Sequence, residues 1–561
     1  MVTKYGVRIK NFSAGQLYEY NLGVREYLPY TQAMFTTSLL LDFLLQKGLK
    51  VSKNGFTRDV ICLNFDMGAK SYQETRDNVA NKIVKYIKHN EEQDKIDNLR
   101  YLLEKIDEKA ELYQKKTKED IRIEYYENGI DIEYIVKDKK GNIKNKETIH
   151  YKMLYRSAGK AKQGSVMFIC DRLYKVAHDF IYMGIKLPLV NSPIVEASAY
   201  VSLIASSIVG QVRIEPENIL VLKDVDSFFR REVTSIDIDE SKHCYTTRLQ
   251  NYELKNTMFD GQALIDDSIF PSWGEGYILL RHHMTKCAAF HTNIQQFFKD
   301  WYGDKYASAK IIDMWGNEHY AKDIKMITTD NACKFLKFGV SYEYWCKKVH
   351  ENGCRFGIVK TAHKSKYGDV QRMSYQMINT LDVDIMDSVL AKSKDYVIQL
   401  KSDNEVFLQY LRDNKNFSND YEVLVALCEQ NSEFTRSDYF RSRKKKIIDG
   451  YVKNLKFGKV LQEGDNLVLV GSPYAMLLHS VGEDTEKDTT FSQESDCIQC
   501  YTKRFDADEY LAGFRSPHNS KSNILALHNV GSEVLDRYFH IGEQCIAVNC
   551  NHTDLQDRAN G

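Results

Sequence analysis

The chain has 561 residues, and its 77 Lys and Arg balance 77 Asp and Glu, so its formal net charge is zero. This length is too great for one hydrophobic core and predicts about three or four domains. The balanced charge excludes a polycationic tail-type binder but not a local basic cleft, and apolar and charged contents of 43% and 27% exclude disorder.

No targeting or membrane segment is predicted. The first residues, MVTKYGVRIKNFS, lack the apolar segment of a signal peptide. The most apolar stretch, 187–209, contains a proline, Glu196 and several serines, so it predicts a buried helix beginning at Ser192-Pro193. The cysteines follow no disulfide framework, which is typical of a reducing compartment. We therefore expect a cytoplasmic protein.

Residues 1–150 predict a mixed α/β N-terminal region. Apolar residues from Ile96 to Tyr113 recur every three or four positions and predict a helix with one narrow apolar seam. A coiled-coil arm and a helix packed on its own domain fit this seam equally well. The alternating residues around Asn128-Gly129 predict a β-hairpin.

Four further regions follow along the chain. Residues 151–211 predict a helical region, and short β-like runs separated by Gly and Asp predict a closed or strongly bent β-structure over 212–341. Helical patterns over 342–456 predict a connector, and short strands return over 457–561. The residues that indicate chemistry lie in the two β regions.

Two groups of potential metal ligands give weak signals. Cys497 and Cys500 form a lone CxxC, and strand alternation places them on opposite faces, so we interpret them as small apolar residues with zinc as the alternative. The second group lies on a predicted strand end and an apolar turn, and it lacks the helical HExxH geometry of a zinc site. It contains His282, His283, Cys287 and His291.

Lysines that follow predicted strands are more informative. Lys286 follows the run YILLRHH, and Lys334 and Lys337 follow the run KMITT. Ammonium groups that face one cleft neutralise polyphosphates without strict geometry. For any single lysine a solvated surface position is the simpler interpretation, but the order of the neighbouring motifs favours a phosphate site.

This order of motifs resembles the single-chain RNA polymerases built on two double-psi β-barrels, which include phage enzymes and RNA-silencing RNA-dependent RNA polymerases. The resemblance covers about residues 150–561, and two C-terminal segments look like those of uncharacterised Firmicute and phage proteins of this kind. The residues that match the family's order are Asp260-Gly261, Leu264-Ile265, Arg281, Lys286, Lys334, Arg515 and Pro517.

The resemblance implies an α+β fold, with two double-psi β-barrel regions joined by a helical connector. It implies an RNA polymerase, in which an RNA 3′ end attacks the α-phosphate of a nucleoside triphosphate on a nucleic-acid template. Lys286 and Lys334 are then the catalytic residues, and Arg281, Arg515 and Lys337 bind nucleotide phosphates. A basic run is expected to line the template channel. It consists of Arg441, Arg443, Lys444, Lys445 and Lys446.

The family holds its magnesium ions in a D-x-D-x-D loop, and the chain reaches Gly561 before such a loop. We therefore expect Mg²⁺ as the cofactor of a longer protein, no metal ligand in this chain, and a fragment without activity of its own. The implied setting is a bacterial cell, with a host, phage or prophage gene. Two alternatives stay open: a non-catalytic nucleic-acid-binding or phage structural protein on the same scaffold, and a zinc-dependent enzyme that uses Cys497 and Cys500.

Overall fold

The structure is a computed structural model with a mixed α and β fold. It describes residues 5–110, 115–137, 143–156, 165–185, 194–241, 243–373, 383–416, 419–492, 497–514, 524–553 and 555.

The first part of the chain, up to residue 216, alternates strands and helices. Its strands are β1 (Gly6–Ser13), β2 (Tyr30–Thr36), β3 (Phe56–Asn64), β4 (Ile130–Lys137), β5 (Ile143–Tyr155), β6 (Ser165–Cys170) and β7 (Gly210–Arg213). Its helices are α1 (Ala14–Asn21), α2 (Leu39–Gln46), α3 (Tyr72–Lys88), α4 (Gln93–Glu108), α5 (Lys118–Asn128), α6 (Asp171–Tyr182) and α7 (Ile194–Val201).

The rest of the chain has many short strands and a group of consecutive helices. The strands are β8 (Ile219–Leu222), β9 (Asp226–Asp239), β10 (Cys244–Thr257), β11 (Gln262–Asp266), β12 (Tyr277–His282), β13 (Thr285–Thr292), β14 (Lys310–Ile312), β15 (Glu318–Tyr320), β16 (Met326–Thr329), β17 (Arg355–Thr361), β18 (Val370–Arg372), β19 (Leu461–Glu463), β20 (Val468–Gly471), β21 (Ile498–Tyr501), β22 (Tyr510–Phe514), β23 (Ile524–Asn529) and β24 (Cys545–Val548). The helices are α8 (Ile294–Tyr302), α9 (Tyr342–Glu351), α10 (Met386–Ser402), α11 (Asn404–Asn414), α12 (Tyr421–Gln430), α13 (Asp438–Leu455), α14 (Pro473–Ser480) and α15 (Glu533–Tyr538). Among the helices of the described residues, none combines the length and the apolar character that a membrane crossing requires.

The chain divides into two compact units that are interleaved along the sequence. Unit 1 comprises Met1–Pro216, Leu280–Lys286 and Cys333–Val359, and unit 2 comprises Glu217–Leu279, Cys287–Ala332 and Lys360–Gly561. Because the chain passes between the units several times, neither unit is one continuous stretch of sequence.

Unit 1 contains a six-stranded sheet with the order β2-β1-β3-β6-β5-β4. β1 and β3 are parallel, and the other neighbouring pairs are antiparallel. The central strand β3 carries the apolar run Val60–Leu63, which is buried, as expected of a strand covered on both faces. Phe43 of α2 stacks on Phe180 of α6 with ring centroids 3.8 Å apart, which packs these two helices together.

The helix predicted from Ile96 to Tyr113 corresponds to α4, which ends at Glu108, and the predicted end at Tyr113 lies outside the described residues. α4 packs on its own domain. Leu102 and Ile106 lie in a buried cluster with Val24, so the apolar seam is covered by unit 1 itself. A sequence seam cannot reveal which surface covers it, since any apolar partner satisfies the same spacing.

The hairpin predicted at Asn128-Gly129 is wrong, because the preceding residues form α5. Thr117 accepts from the backbone N–H of Asp120 and the Asp120 carboxylate accepts in return, a capping box that begins the helix. Gly129 has φ +72°, which suits the end of a helix as well as a tight turn. The antiparallel pair in this region is β4 with β5, which begins after Gly129.

Unit 2 contains two four-stranded motifs with the same strand order. In motif 1, β11 pairs in parallel with β13 and antiparallel with β16, and β16 pairs in parallel with β8. In motif 2, β21 pairs in parallel with β23 and antiparallel with β24, and β24 pairs in parallel with β20. If the four strands of each motif are numbered along the chain, both motifs have the spatial order 3-2-4-1.

The two motifs share one hydrophobic core. Leu264 and Phe290 of motif 1 and Val470 and Ala547 of motif 2 belong to the same buried cluster. Their backbones are also joined through Gln262 of motif 1. Its side-chain amide donates to the carbonyl of Gly471 and accepts from the N–H of Gly471, both at 2.9 Å. Motifs 1 and 2 are thus packed together within unit 2.

Two further parts of unit 2 do not belong to this shared hydrophobic core. β9 and β10 pair along all 14 residues of each strand to form a two-stranded ribbon, most of whose side chains are exposed. α10 to α13 form a helical bundle with its own core, which includes Phe407, Phe440 and Tyr451.

Candidate phosphate-binding site

The three lysines selected from the sequence lie on two neighbouring segments of unit 1. Lys286 is the second residue of β13, and Lys334 and Lys337 lie on the 3₁₀ turn Lys334–Phe338. An antiparallel bridge between Thr285 and Cys333 holds these segments side by side. Two positions about fifty residues apart in sequence are therefore brought close by a backbone pairing that their own local patterns do not encode.

The Tyr200 ring of α7 is a common contact for two of the lysines. The Nζ atoms of Lys286 and Lys337 lie 5.5 Å and 5.8 Å from its centroid, which is within the range of cation–π attraction. The ring of Phe338 meets Tyr200 edge-on at a centroid distance of 6.2 Å. Because the aromatic ring is held by this contact, it gives both ammonium groups a defined neighbour.

Glu196, one helical turn before Tyr200, supplies the negative charge of the cluster. Its Oε1 lies 2.7 Å from Lys337 Nζ and accepts a 3.2 Å hydrogen bond from the Tyr200 hydroxyl. The hydrogen bond from Lys337 holds the pKa of Glu196 below its usual value, and the charge of Lys334 acts in the same direction. The carboxylate is therefore ionised at neutral pH.

The lysine cluster, defined as Lys286, Lys334, Lys337, Glu196 and Tyr200, brings three ammonium groups together on neighbouring segments of unit 1. Lys334 is only 7% exposed, whereas Lys337 is exposed and Lys286 half-buried. Several ammonium groups with graded exposure suit an anion with several phosphate charges, which they bind without strict geometry.

Sequence analysis identified the lysines but missed Glu196 and Tyr200 as their partners. Glu196 is visible in the sequence as a charge within the most apolar stretch, which is a usable signal. Helix α7 lies in the stretch for which a buried helix was predicted, and the predicted start at Ser192-Pro193 lies outside the described residues.

The remaining members of the predicted phosphate site are less informative. Arg281 lies on β12 and its Nη1 donates to the carbonyl of Leu280 at 2.8 Å. Arg515 and Pro517 lie outside the described residues.

The basic run lies on α13, within the helical bundle of unit 2. Arg443 pairs with Asp420, and Lys444 donates to Asn404 at 2.8 Å. Arg441 lies 3.6 Å from Asp438, whereas Lys445 and Lys446 are exposed. Part of the run therefore makes contacts inside the bundle, and its role on a template channel stays a prediction.

The histidine and cysteine run is divided between the two units. His282 and His283 are buried in unit 1, and burial lowers the pKa of both, to about 3 for His282. Cys287 and His291 belong to unit 2, where His291 Nε2 lies 2.6 Å from Asp267 Oδ1. These residues do not form one metal site.

The lone CxxC lies at the start of β21. Cys500 is buried, and burial raises the pKa of its thiol to about 12, so the thiol keeps its proton at neutral pH. Cys497 precedes the strand and is half-buried. A zinc ion binds thiolates, so this environment favours the interpretation as small apolar residues.

A cavity of about 230 Å³ in unit 2 is bordered by Asp260 and Gly261 of the predicted DG segment. Its walls include Phe290 of motif 1 and Val548 of motif 2. The adjoining Leu264 is fully buried in the shared core. The DG segment therefore begins a strand that holds the two motifs together.

Magnesium in a two-metal site needs several carboxylate oxygens in octahedral geometry. Within the described part of the chain, the one close group of three or more His, Cys, Asp or Glu donors is Glu215, His350 and Cys354. A thiol and an imidazole beside a single carboxylate do not fit magnesium. This group of described residues therefore does not fit the magnesium site of the polymerases that the sequence resembles.

Comparison with protein-family models and with curated proteins finds no match to this chain.

Proposed function

We propose that this protein binds phosphate groups of nucleotides and nucleic acid at the lysine cluster and takes part in template-directed RNA synthesis. The observation that carries the proposal is the convergence of Lys286, Lys334 and Lys337 on Glu196 and Tyr200. The order of the motifs along the sequence predicts phosphate contact for the same three lysines.

The repeated motif of unit 2 supports the fold-level part of the proposal. The RNA polymerases that the sequence resembles have two barrels of one topology, and motifs 1 and 2 share the strand order 3-2-4-1 and a common core. We propose that each motif is the central part of a double-psi β-barrel. A fold does not establish an activity, so the functional argument rests on the lysines.

At the lysine cluster, a bound polyphosphate competes with Glu196 for the ammonium groups. Its oxygens accept from Lys337 in place of the carboxylate, and Lys286 and Lys334 add charge from the neighbouring segments. The Tyr200 ring keeps two of the ammonium groups near each other before the anion arrives, which lowers the cost of ordering them. The site thus positions phosphate charge without requiring a protein-bound metal.

The second candidate function is nucleic-acid binding without catalysis on the same scaffold. It needs phosphate contacts but no magnesium ligands. The two candidates share the lysine cluster and differ in whether the chain joins nucleotides.

The proposed site is tested by calorimetric titration of the full chain with inorganic tripolyphosphate. Lys286→Met and Lys334→Met keep the aliphatic stem and remove the charge, and we expect each to weaken binding about tenfold, from about 1.5 kcal/mol for a charge-assisted hydrogen bond. Glu196→Gln removes the competing charge and is expected to strengthen binding. Lys348→Met is the matched control, since Lys348 of unit 1 pairs with Glu351 instead.

If the parent, Lys286→Met and Lys334→Met bind tripolyphosphate with equal affinity, the lysine cluster is not a phosphate-binding site. The two candidate functions are separated by nucleotide incorporation on RNA and DNA templates with added Mg²⁺, measured with the longer protein that the resemblance implies. Incorporation that Lys286→Met abolishes supports the polymerase, whereas template binding without incorporation supports the binder. In either case we expect template affinity to fall steeply with salt, and a flat dependence contradicts both.

A further inference from the structure

A thiol, an imidazole and a carboxylate meet at one point of unit 1, and none of them belongs to the lysine cluster. Cys354 Sγ lies 2.8 Å from Glu215 Oε2 and 3.1 Å from His350 Nδ1, and the latter two atoms are 3.9 Å apart. Cys354 is buried, and the side chains of Glu215 and His350 are 34% and 45% exposed. One side of the group is therefore protein and the other is open to solvent.

Two independent backbone constraints hold this group together. His350 is in the last turn of α9, and the N–H of Cys354 donates to the carbonyl of Val349 where the helix ends. The pairing of β17 with β7 continues to Ile214, whose N–H donates to the carbonyl of Cys354 at 2.9 Å. This places Glu215, the next residue, beside the thiol.

The backbone at Cys354 has an uncommon conformation. Its φ is +55°, in the left-handed region that residues with a Cβ rarely adopt, and it follows Gly353 at φ +68°. Such a conformation is unfavourable for a residue with a side chain and persists where surrounding structure imposes it. Here the conformation directs the thiol towards His350 and Glu215.

The Glu215 carboxylate is oriented by a further residue. Arg213 Nε lies 2.7 Å from Oε1, which leaves Oε2 directed at Cys354. Oε1 is thus held by Arg213, whereas Oε2 faces the thiol and the imidazole as a potential ligand.

We infer that Glu215, His350 and Cys354 bind a zinc-type divalent cation through Oε2, Nδ1 and Sγ. Sulfur, nitrogen and oxygen donors together are typical of Zn²⁺, and three protein ligands leave a fourth position for water or substrate. Metal–donor bonds of about 2.0–2.3 Å in a tetrahedron place donor atoms about 3.4 Å apart. The three observed separations bracket that value, so small side-chain movements are sufficient. Binding releases the thiol proton to solvent and forms a metal–thiolate bond.

This site does not depend on the proposed phosphate function, because it shares no residue with the lysine cluster. Its sequence signal is the spacing His350-x3-Cys354 across the end of a helix. Glu215 is more than one hundred residues away in sequence and joins the pair only through the pairing of β7 with β17.

The test uses the full chain, freed of metal with a chelator and titrated with Co²⁺, which occupies zinc sites and is visible in absorption spectra. We expect one equivalent of Co²⁺ to produce a thiolate-to-cobalt charge-transfer band and the strong d–d bands of tetrahedral cobalt, both removed by Zn²⁺. Cys354→Ser is expected to abolish the charge-transfer band. Cys346→Ser is the matched control, since Cys346 lies on α9 outside the group and its loss should leave the spectrum unchanged.

Glu215→Gln keeps the shape of a half-exposed side chain and removes one ligand. It is expected to retain the band but to weaken Co²⁺ affinity about 100-fold, since loss of a direct ligand costs at least as much as the loss of a residue that only orients one. If Cys354→Ser does not fold, the Co²⁺ affinities of Glu215→Gln and His350→Gln test the inference instead. No charge-transfer band in the parent, an unchanged band in Cys354→Ser, or unchanged affinity in Glu215→Gln and His350→Gln would overturn the inference.

Discussion

The buried histidine pair of unit 1 predicts that this unit loses stability in mild acid. His282 and His283 lie among the rings of Phe180, Trp345 and Phe356. Within the described part of the chain, both ring nitrogens of His283 and Nδ1 of His282 have no hydrogen-bond partner. Burial therefore lowers the pKa of both residues, and for His283 the charge of His282 and that of Lys348 act in the same direction.

The sign and size follow from proton linkage. Below pH 6.5 the unfolded chain takes up a proton at each histidine, whereas the folded chain keeps both neutral, with the pKa of His282 lowered to about 3. The free energy of unfolding is thus undiminished above pH 6.5 and falls as the pH decreases. At pH 5 the loss is about 2 kcal/mol for each histidine and about 4 kcal/mol for the pair, from 1.36 kcal/mol per pH unit.

The assay is urea unfolding between pH 8 and pH 5, followed by the fluorescence of Trp345. Trp345 is buried in unit 1, and the other three tryptophans lie in unit 2 and are partly exposed, so replacing them with Phe leaves one reporter for unit 1. His283→Leu removes one titrating group and two buried nitrogens without partners. We expect it to recover about 2 kcal/mol at pH 5 relative to the parent.

Other groups that change protonation between these pH values are common to the parent and His283→Leu, so the difference between their slopes isolates His283. An identical pH dependence in the two proteins refutes the reasoning, because it means that the folded chain accepts a proton at His283. A large loss of stability at pH 8 in the variant would equally show that the ring nitrogens have partners that stabilise the fold.

Two further predictions concern unit 2. The first is a shortened ribbon, in which 232–251 are removed and the paired residues Arg231 and Tyr252 are joined through Asn-Gly. We expect the free energy of unfolding to change by less than about 1 kcal/mol, since a lone two-stranded hairpin contributes little stability. Urea unfolding checks this, and a loss of folding would show that the ribbon is part of the core. Replacing Asp267 with Asn should lower the pKa of His291 further, because burial already lowers it and the Asp267 charge opposes that effect. Histidine NMR titration measures it, with the exposed Asp304→Asn as control, and a raised or unchanged pKa contradicts it.

Local sequence patterns predicted much of the secondary structure. They failed where the same pattern occurs both in a turn and at the end of a helix. The seam from Ile96 predicted α4 because an amphipathic period is a property of neighbouring residues. Asn128-Gly129 was assigned to a hairpin because glycine at positive φ ends a helix as readily as it forms a turn. The capping box at Thr117 was the local signal that could have decided between them.

The sequence by itself determined the residue types available for chemistry, the periodicity of the helices and the burial of the apolar strands. These properties depend on neighbours within a few positions, so they can be read without a fold. It also made Lys286, Lys334 and Lys337 candidates through their order along the chain.

Only the tertiary structure decided which distant residues meet. The bridge of Thr285 with Cys333 and the position of α7 bring Glu196 to the lysines, and the pairing of β7 with β17 brings Glu215 to Cys354. The common order of motifs 1 and 2 likewise follows from pairings between strands far apart in sequence. The physical reason is that strand pairing and core packing depend on contacts between residues far apart in sequence. A local pattern shows which side chains must be buried, but it does not show which residues bury them.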